Sequence, residues 1–258
     1  MFENIAGITE GTKLDEPKLK IAIVGEPKTG KSWLASTAPG PVFVADFDGR
    51  YESLRGKAGV FVKTYTDLNP AIPTAMAALE TDISMFEYNK TMGREIPTTY
   101  VLDSMTYMKT MCEHALIAGN KGFSRSVKIG PKTVDIAQGW DIINGNRAYM
   151  EYIIGRLSEL GHVVCVFHES DEKDNAASTK DTKAYTGRKT VQPQYLASIL
   201  SLFNDVFRIT IAYDGTRVVN VKPSSNFLAS TSLMLKDGEQ PPDISKMLEE
   251  HRNATGKG

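Results

Sequence analysis

The sequence predicts an α/β fold, a mostly parallel sheet flanked by helices with a C-terminal antiparallel hairpin. Three observations carry that expectation. Apolar runs of strand length alternate with helix-period segments through the first two thirds of the chain. One run leads directly into Gly-x-x-x-x-Gly-Lys-Ser, a phosphate-cradling pattern that requires a strand before it and a helix after it. Two later runs flank Asp214-Gly215, a dipeptide suited to a tight hairpin turn.

The first run, Ile21 to Val24, is followed by Gly25-Glu26-Pro27-Lys28-Thr29-Gly30-Lys31-Ser32 and then Trp33. Gly25 and Gly30 permit turns and close approaches that a Cβ would obstruct, so successive N–H groups can face phosphate oxygens at a helix start. Lys31 is expected to reach the β- and γ-phosphates of a nucleoside triphosphate and Ser32 to ligate Mg²⁺. Ser32 to Ala38 continues as a helix. Val42 to Ala45 and Val60 to Val62 read as strands, Ile72 to Tyr88 as a helix, Tyr100 to Leu102 as a strand and Thr106 to Ala118 as a helix. Ile136 to Leu160 reads as one helix with an apolar face of Ile142, Ile143, Tyr149, Ile153, Ile154 and Leu157. Gly161 stops it before the strand Val163 to Phe167.

Glu169 to Lys183, charged and rich in small residues, reads as a mobile loop. Val206 to Tyr213 and Arg217 to Val221 form the hairpin, ended by Pro223-Ser224-Ser225. From Lys236 the chain is polar, with Pro241-Pro242 and a short amphipathic segment, Ile244 to His251. It reads as a weakly held tail or a partner-binding helix. The expected division is an N-terminal arm over 1–18, a core over 19–235 and a tail over 236–258.

Basic and acidic residues nearly cancel, 30 against 31, for a net charge of −1. The whole-molecule field therefore does not draw the chain to nucleic acid, and any polyanion site is a local patch. Cys112 and Cys165 lie far apart, which argues against a disulfide framework. The first twenty residues lack the apolar stretch of a targeting peptide and no run is long enough to span a bilayer, so a cytoplasmic protein without a membrane partner is expected. The four histidines show no metal-ligand spacing, and Gly-x-Ser-x-Gly and Cys-x-x-Cys are absent.

A phosphate loop alone leaves kinases, GTPases, transporters and motors open. The acids at later strand ends narrow the choice. Asp46-Phe47-Asp48-Gly49 ends the second strand with two acids on one side if the strand continues, at the edge where open α/β sheets bind ligands. One of them could orient the water that attacks the γ-phosphate; a polar strand exit is the plainer alternative. Tyr100-Val101-Leu102-Asp103 has the Walker B form, in which the carboxylate supports Mg²⁺ beside Ser32. His168 ends a further strand, where it could sense the γ-phosphate or simply face solvent. No Asn-Lys-x-Asp motif reads a guanine base, since Asn89-Lys90-Thr91-Met92 fails at its last position. Arginines are too scattered for a nucleotide-kinase lid.

The order phosphate loop, acid pair, Leu-Asp-Ser and polar strand end resembles the RecA-like P-loop NTPase core. More narrowly, Val44 to Gly49, Val101 to Ser104, Val166 to Glu169 and Leu202 to Val206 together resemble the small phage-encoded AAA/RecA-like proteins of the Sak-type single-strand annealing group, over roughly residues 19 to 225. The resemblance implies Asp48 as the catalytic carboxylate with Lys31, Asp103 as the Walker B acid and His168 as the sensor. It also implies a homo-oligomer with inter-subunit ATP sites, completed by a basic residue from a neighbour, for which Arg188 and Lys189 are the candidates. Asn226-Phe227-Leu228-Ala229 departs from the family where a Lys-x-Arg element is expected.

Two basic segments with aromatics suit single-stranded DNA: Lys121, Arg125, Lys128 and Lys132 around Phe123 in a Gly-punctuated loop after the Walker B helix, and Lys173, Lys180, Lys183, Arg188 and Lys189 with Tyr185. Ordinary solvated charge is the alternative, and Asp171, Glu172, Asp174 and Asp181 share the second segment. The expected function is a Mg²⁺-dependent ATPase acting on single-stranded DNA in phage-type recombination or annealing, in the host cytoplasm, with a single-strand-binding protein as a further partner. A nucleotide-dependent assembly module with little hydrolysis is the alternative, and a small-molecule phosphotransferase a third reading.

Overall fold

The central strands form where the sequence supplies a short apolar run, and their pairing is set by burial on both faces. In a computed structural model, which describes residues 18–120, 122, 124–129, 132–137, 139–173, 184–235 and 239–255, the elements run β1 (Lys20–Gly25), α1 (Lys31–Ala35), β2 (Val42–Asp46), β3 (Val60–Thr64), α2 (Ala75–Thr91), β4 (Thr99–Asp103) and α3 (Met105–Gly119). They continue as β5 (Ser124–Ile129), β6 (Lys132–Ala137), α4 (Gly139–Leu160), β7 (His162–Lys173), β8 (Tyr185–Val191), β9 (Asp205–Ile211), β10 (Arg217–Asn220), β11 (Glu239–Gln240) and α5 (Ile244–Thr255). Among the described residues one sheet has the order β11-β10-β9-β1-β7-β4-β2-β3, with β8 paired to β7. The pairs from β3 through β9 are parallel; β10, β11 and β8 add antiparallel strands.

Alternation along the central strands sends side chains to two cores. Ala22, Val24, Tyr100, Leu102, Val163, Cys165 and Phe167 face one side, covered by Met76 and Leu79 of α2, Met108 of α3 and Met150 and Ile153 of α4. Ile21, Ile23, Val101, Val164 and Val166 face the other, covered by Leu34 of α1 and Ile244, Met247 and Leu248 of α5. With both faces covered, the central strands are apolar throughout rather than alternating with polar residues. Both cysteines are buried free thiols. No helix among the described residues is long and apolar enough to cross a membrane.

Three expectations are corrected. The basic stretch after α3 is a hairpin, β5–β6, so α4 starts at Gly139 rather than Ile136. β7 does not stop at Phe167 but runs on to Lys173, because β8 supplies a partner for the charged residues that read as a loop: Glu169 pairs Val191 and Ser170 pairs Thr190. A 3₁₀ helix, Gln194–Leu202, buries Leu196, Ile199 and Leu200. The amphipathic segment near the C-terminus is packed. Ile244, Met247 and Leu248 of α5 are at most 4% exposed, each contributing about 1.5–3 kcal/mol of burial. The Ile244 N–H also donates to Thr37 Oγ1 at 2.8 Å and the Ser245 hydroxyl to the Thr37 carbonyl at 2.6 Å.

Candidate nucleotide site

Parallel register gathers the strand ends. Gly25 at the end of β1 lies opposite His168 of β7, and Asp46 at the end of β2 lies opposite Asp103 of β4. The loop that leaves β1 is shaped by its glycines. A Cβ on Gly25 would sit 2.6 Å from the Ile209 carbonyl oxygen, and Gly30 has φ +97° with the Arg217 side chain 2.9 Å from where its Cβ would be. Lys28 is also left-handed, with φ +68°. Such alternation of backbone handedness turns N–H groups toward a common centre. Because α1 has five residues, Lys31 and these N–H groups supply the positive field rather than a long helix.

Lys31 is 6% exposed, and its ammonium donates to the carbonyls of Gly25 at 3.0 Å and Glu26 at 2.7 Å. Burial pushes its pKa down to about 8, against the carboxylates Asp103, Glu169, Asp48 and Glu26. Thr29 closes the loop by donating its hydroxyl to the Glu26 carbonyl at 2.9 Å. The Ser32 hydroxyl hydrogen-bonds Asp103, whose carboxyl is held above the usual range by burial and pulled back by that bond.

The two acids after β2 separate in role. Asp46 is 2% exposed; its Oδ1 accepts the N–H groups of Asp48 at 3.3 Å and Gly49 at 3.0 Å, and its Oδ2 accepts the Thr64 hydroxyl at 3.1 Å. It therefore builds the turn that carries Asp48 to the cavity. Burial pushes Asp48 up to about 7, aided by a hydrogen bond with Asp46 and the charge of Asp103. His168 is pushed down to about 4 by burial and by Lys31 and Arg50, so its imidazole is neutral at physiological pH. The ring stands edge-on to Tyr107 with centroids 5.7 Å apart. Its backbone is held between Thr106 and Gln192: its N–H donates to Thr106 Oγ1 at 3.2 Å and its carbonyl accepts the Gln192 N–H at 2.8 Å.

Lys31, Ser32, Asp48, Asp103 and His168 all line one cavity of about 750 Å³, together with Pro27, Lys28, Gly30 and the half-exposed Trp33. Trp33 lies under the Lys57 ammonium, 4.1 Å from the ring centroid. Sequence reasoning missed Arg50, Glu52, Arg217 and Pro242 on the same wall. A loop shaped by Gly25 and Gly30, a buried lysine, and a hydroxyl–carboxylate pair beside it fit a nucleoside triphosphate with a hydrated divalent cation. No group of three or more metal-ligating side chains occurs among the described residues, so ligands for such a cation would include phosphate and water.

The remaining candidates are dispersed. Lys189 is engaged within its own chain, 3.3 Å from Glu26 and 3.0 Å from Asp171, while Arg188 is exposed on β8. Phe227, in the segment that departs from the family pattern, stacks under Arg208, which is bidentate to buried Glu169 at 2.6 and 2.9 Å. Arg125 and Lys128 lie on β5 and Lys132 on β6, and Lys173 pairs Tyr185 across β7 and β8. Lys121, Phe123, Asp174, Lys180, Asp181 and Lys183 lie outside the described residues.

No curated protein matches the chain. A family described as "AAA domain" matches residues 17–233, which takes in every strand from β1 to β10 and all the candidate site residues. The chain therefore belongs to this AAA-domain family and is a nucleotide-binding P-loop ATPase domain.

Proposed function

We propose that the protein is a RecA-like, Mg²⁺-dependent ATPase that acts on single-stranded DNA in phage-type recombination or annealing. The convergence of Lys31, Ser32, Asp48, Asp103 and His168 on one cavity at the carboxyl ends of parallel strands carries the ATPase part. On this reading Lys31 leaves the Gly25 and Glu26 carbonyls for the phosphates, and the Gly25 to Ser32 loop holds the triphosphate. Ser32, with Asp103 hydrogen-bonded to it, would hold a Mg²⁺ ion, which would supply charge neutralisation at the phosphates. Asp48 orients the attacking water and accepts its proton once ionised. His168, neutral, offers a hydrogen bond at the cavity wall without adding charge.

Support for the DNA part comes from the likeness to the Sak-type group and from basic residues on β5, β6, β7 and β8. The likeness also supports a homo-oligomer with ATP between subunits, Arg188 reaching into the neighbouring site, and action beside a single-strand-binding protein. The test is ATP turnover with and without single-stranded DNA. Stimulation by DNA that is lost in Lys31→Ala is expected; turnover indifferent to DNA would overturn the DNA part. A second reading, a nucleotide-dependent assembly module with slow hydrolysis, is favoured by the Asp48 carboxyl, which near pH 7 is only partly ionised. Slow turnover with ATP-dependent oligomers and no DNA response would select it.

A further inference from the structure

The β9–β10 turn delivers a cation to the phosphate loop from the side opposite the hydrolytic residues. β1 lies between β9 and β7 in the sheet. His168 and Asp103 approach from β7 and β4, and the β9–β10 turn approaches from the other flank. That turn is well defined. Asp214 Oδ1 accepts both the N–H and the hydroxyl of Thr216, at 2.9 and 2.6 Å, and Gly215 has φ +84°. The Ala212 N–H donates to the Thr216 carbonyl at 2.7 Å. The next residue, Arg217, opens β10 opposite Ile211.

Arg217 reaches back over the loop. Its Nε donates to the Thr29 carbonyl at 3.1 Å, 188 residues away in sequence, and its Cδ and Nε lie against Gly30. One N–H of the guanidinium is used in this way. Arg217 lines the nucleotide cavity, and no carboxylate pairs with its two terminal nitrogens among the described residues. A guanidinium fixed by one bond to the loop, with donors free for a bidentate contact, is suited to phosphate oxygens. Lys189, by contrast, is tied up by Glu26 and Asp171.

We infer that Arg217 is a nucleotide-binding residue supplied by the chain's own β-hairpin, which grips the non-transferred phosphates shared by ATP and ADP. The inference rests on the nucleotide reading of this cavity. Its side of approach assigns it a different task from a residue at the γ-phosphate: it holds substrate and product alike.

The experiment measures ADP and ATP dissociation constants and steady-state ATP turnover for the wild type, Arg217→Met, Arg217→Lys and Lys31→Ala. Arg217→Met keeps the aliphatic packing against Gly30, and thermal unfolding of each variant checks that the fold survives. Loss of a charge-assisted contact is expected to raise both dissociation constants together by roughly 10- to 100-fold, with the defect in KM rather than kcat and partial recovery in Arg217→Lys. Competition by inorganic tripolyphosphate should weaken in parallel. Unchanged ADP affinity in Arg217→Met while Lys31→Ala loses binding would overturn the inference and leave the nucleotide site standing. Weaker ADP binding with undiminished tripolyphosphate competition would overturn it too, since the contact would then be to the nucleoside. Loss of binding in neither variant would refute the nucleotide reading itself.

Discussion

Replacing Asp48 with Asn should stabilise the folded protein, and by an amount that depends on pH. Asp48 lies in a cavity wall with its side chain 10% exposed, beside Asp46 and Asp103, and folding moves its carboxyl from an ordinary 3.8 up to about 7. Below pH 3.8 the group is protonated in both folded and unfolded chains and costs nothing. Between 3.8 and about 7 the unfolded chain ionises while the folded one does not, so stability falls with rising pH at about 1.4 kcal/mol per pH unit. Above 7 the full loss is in place, at most about 4 kcal/mol because part of it belongs to the neighbouring carboxylates Asp46 and Asp103. Asn is neutral throughout, and like a protonated Asp it can donate to Asp46 while keeping an oxygen for the Arg50 N–H that Asp48 now accepts at 3.2 Å. Asp48→Asn should therefore gain up to about 2 kcal/mol at pH 5 and up to about 4 kcal/mol at pH 8, the latter raising Tm by up to roughly 8 °C. Urea or thermal unfolding at the two pH values, with nucleotide absent, reads this directly. A gain equal at both pH values, or a loss at pH 8, would refute the account of why this carboxyl is displaced.

Other predictions follow from single contacts. The pH profile of kcat/KM should rise through about 7 as Asp48 ionises and fall above about 8 as Lys31 loses its proton, with no limb from His168 above pH 5; a profile flat from 6 to 9 would contradict these assignments. Met247→Ala in α5 removes a side chain 1% exposed and should cost about 2–5 kcal/mol by urea unfolding, whereas a dispensable tail would cost nothing. Arg208→Met leaves Glu169, whose side chain is 2% exposed, without its bidentate partner, and should destabilise by about 3–5 kcal/mol; the double variant Arg208→Met with Glu169→Leu should recover much of that loss. Gly25→Ala sets a methyl 2.6 Å from the Ile209 carbonyl, so nucleotide binding should weaken measurably by calorimetry as the loop is pushed off β9.

The central strands were legible because burial on both faces makes them continuous apolar runs, and because Gly25, Asp103 and His168 each mark the residue where such a run ends. The phosphate loop was legible because its spacing is a local property of the chain. The reading failed where long-range pairing outweighs local composition. Ser-Arg-Ser-Val-Lys-Ile and Lys-Thr-Val-Asp-Ile-Ala flank Gly130-Pro131, a turn signal with period-two alternation on either side, yet the glycines around them read as loop punctuation and Ile136 as the start of a helix. Glu169 to Lys173 are extended through pairing with β8, which lies on the far side of a charged segment. The distinction between Asp46 and Asp48 depends on the turn bonded to Asp46 Oδ1, which spacing does not reveal. Arg217 belongs to no motif; its partner, Thr29, is brought near only by the β1–β9 pairing.

The central claim is that this cavity hydrolyses ATP by means of Lys31 and Asp48, and one comparison tests it most directly: ATP turnover and ADP binding measured side by side for the wild type, Lys31→Ala and Asp48→Asn. The account predicts turnover in the wild type, loss of both binding and turnover in Lys31→Ala, and retained ADP binding with turnover reduced at least 100-fold in Asp48→Asn, a group acting on the water being worth about that much. Turnover in Asp48→Asn equal to that of the wild type would contradict it.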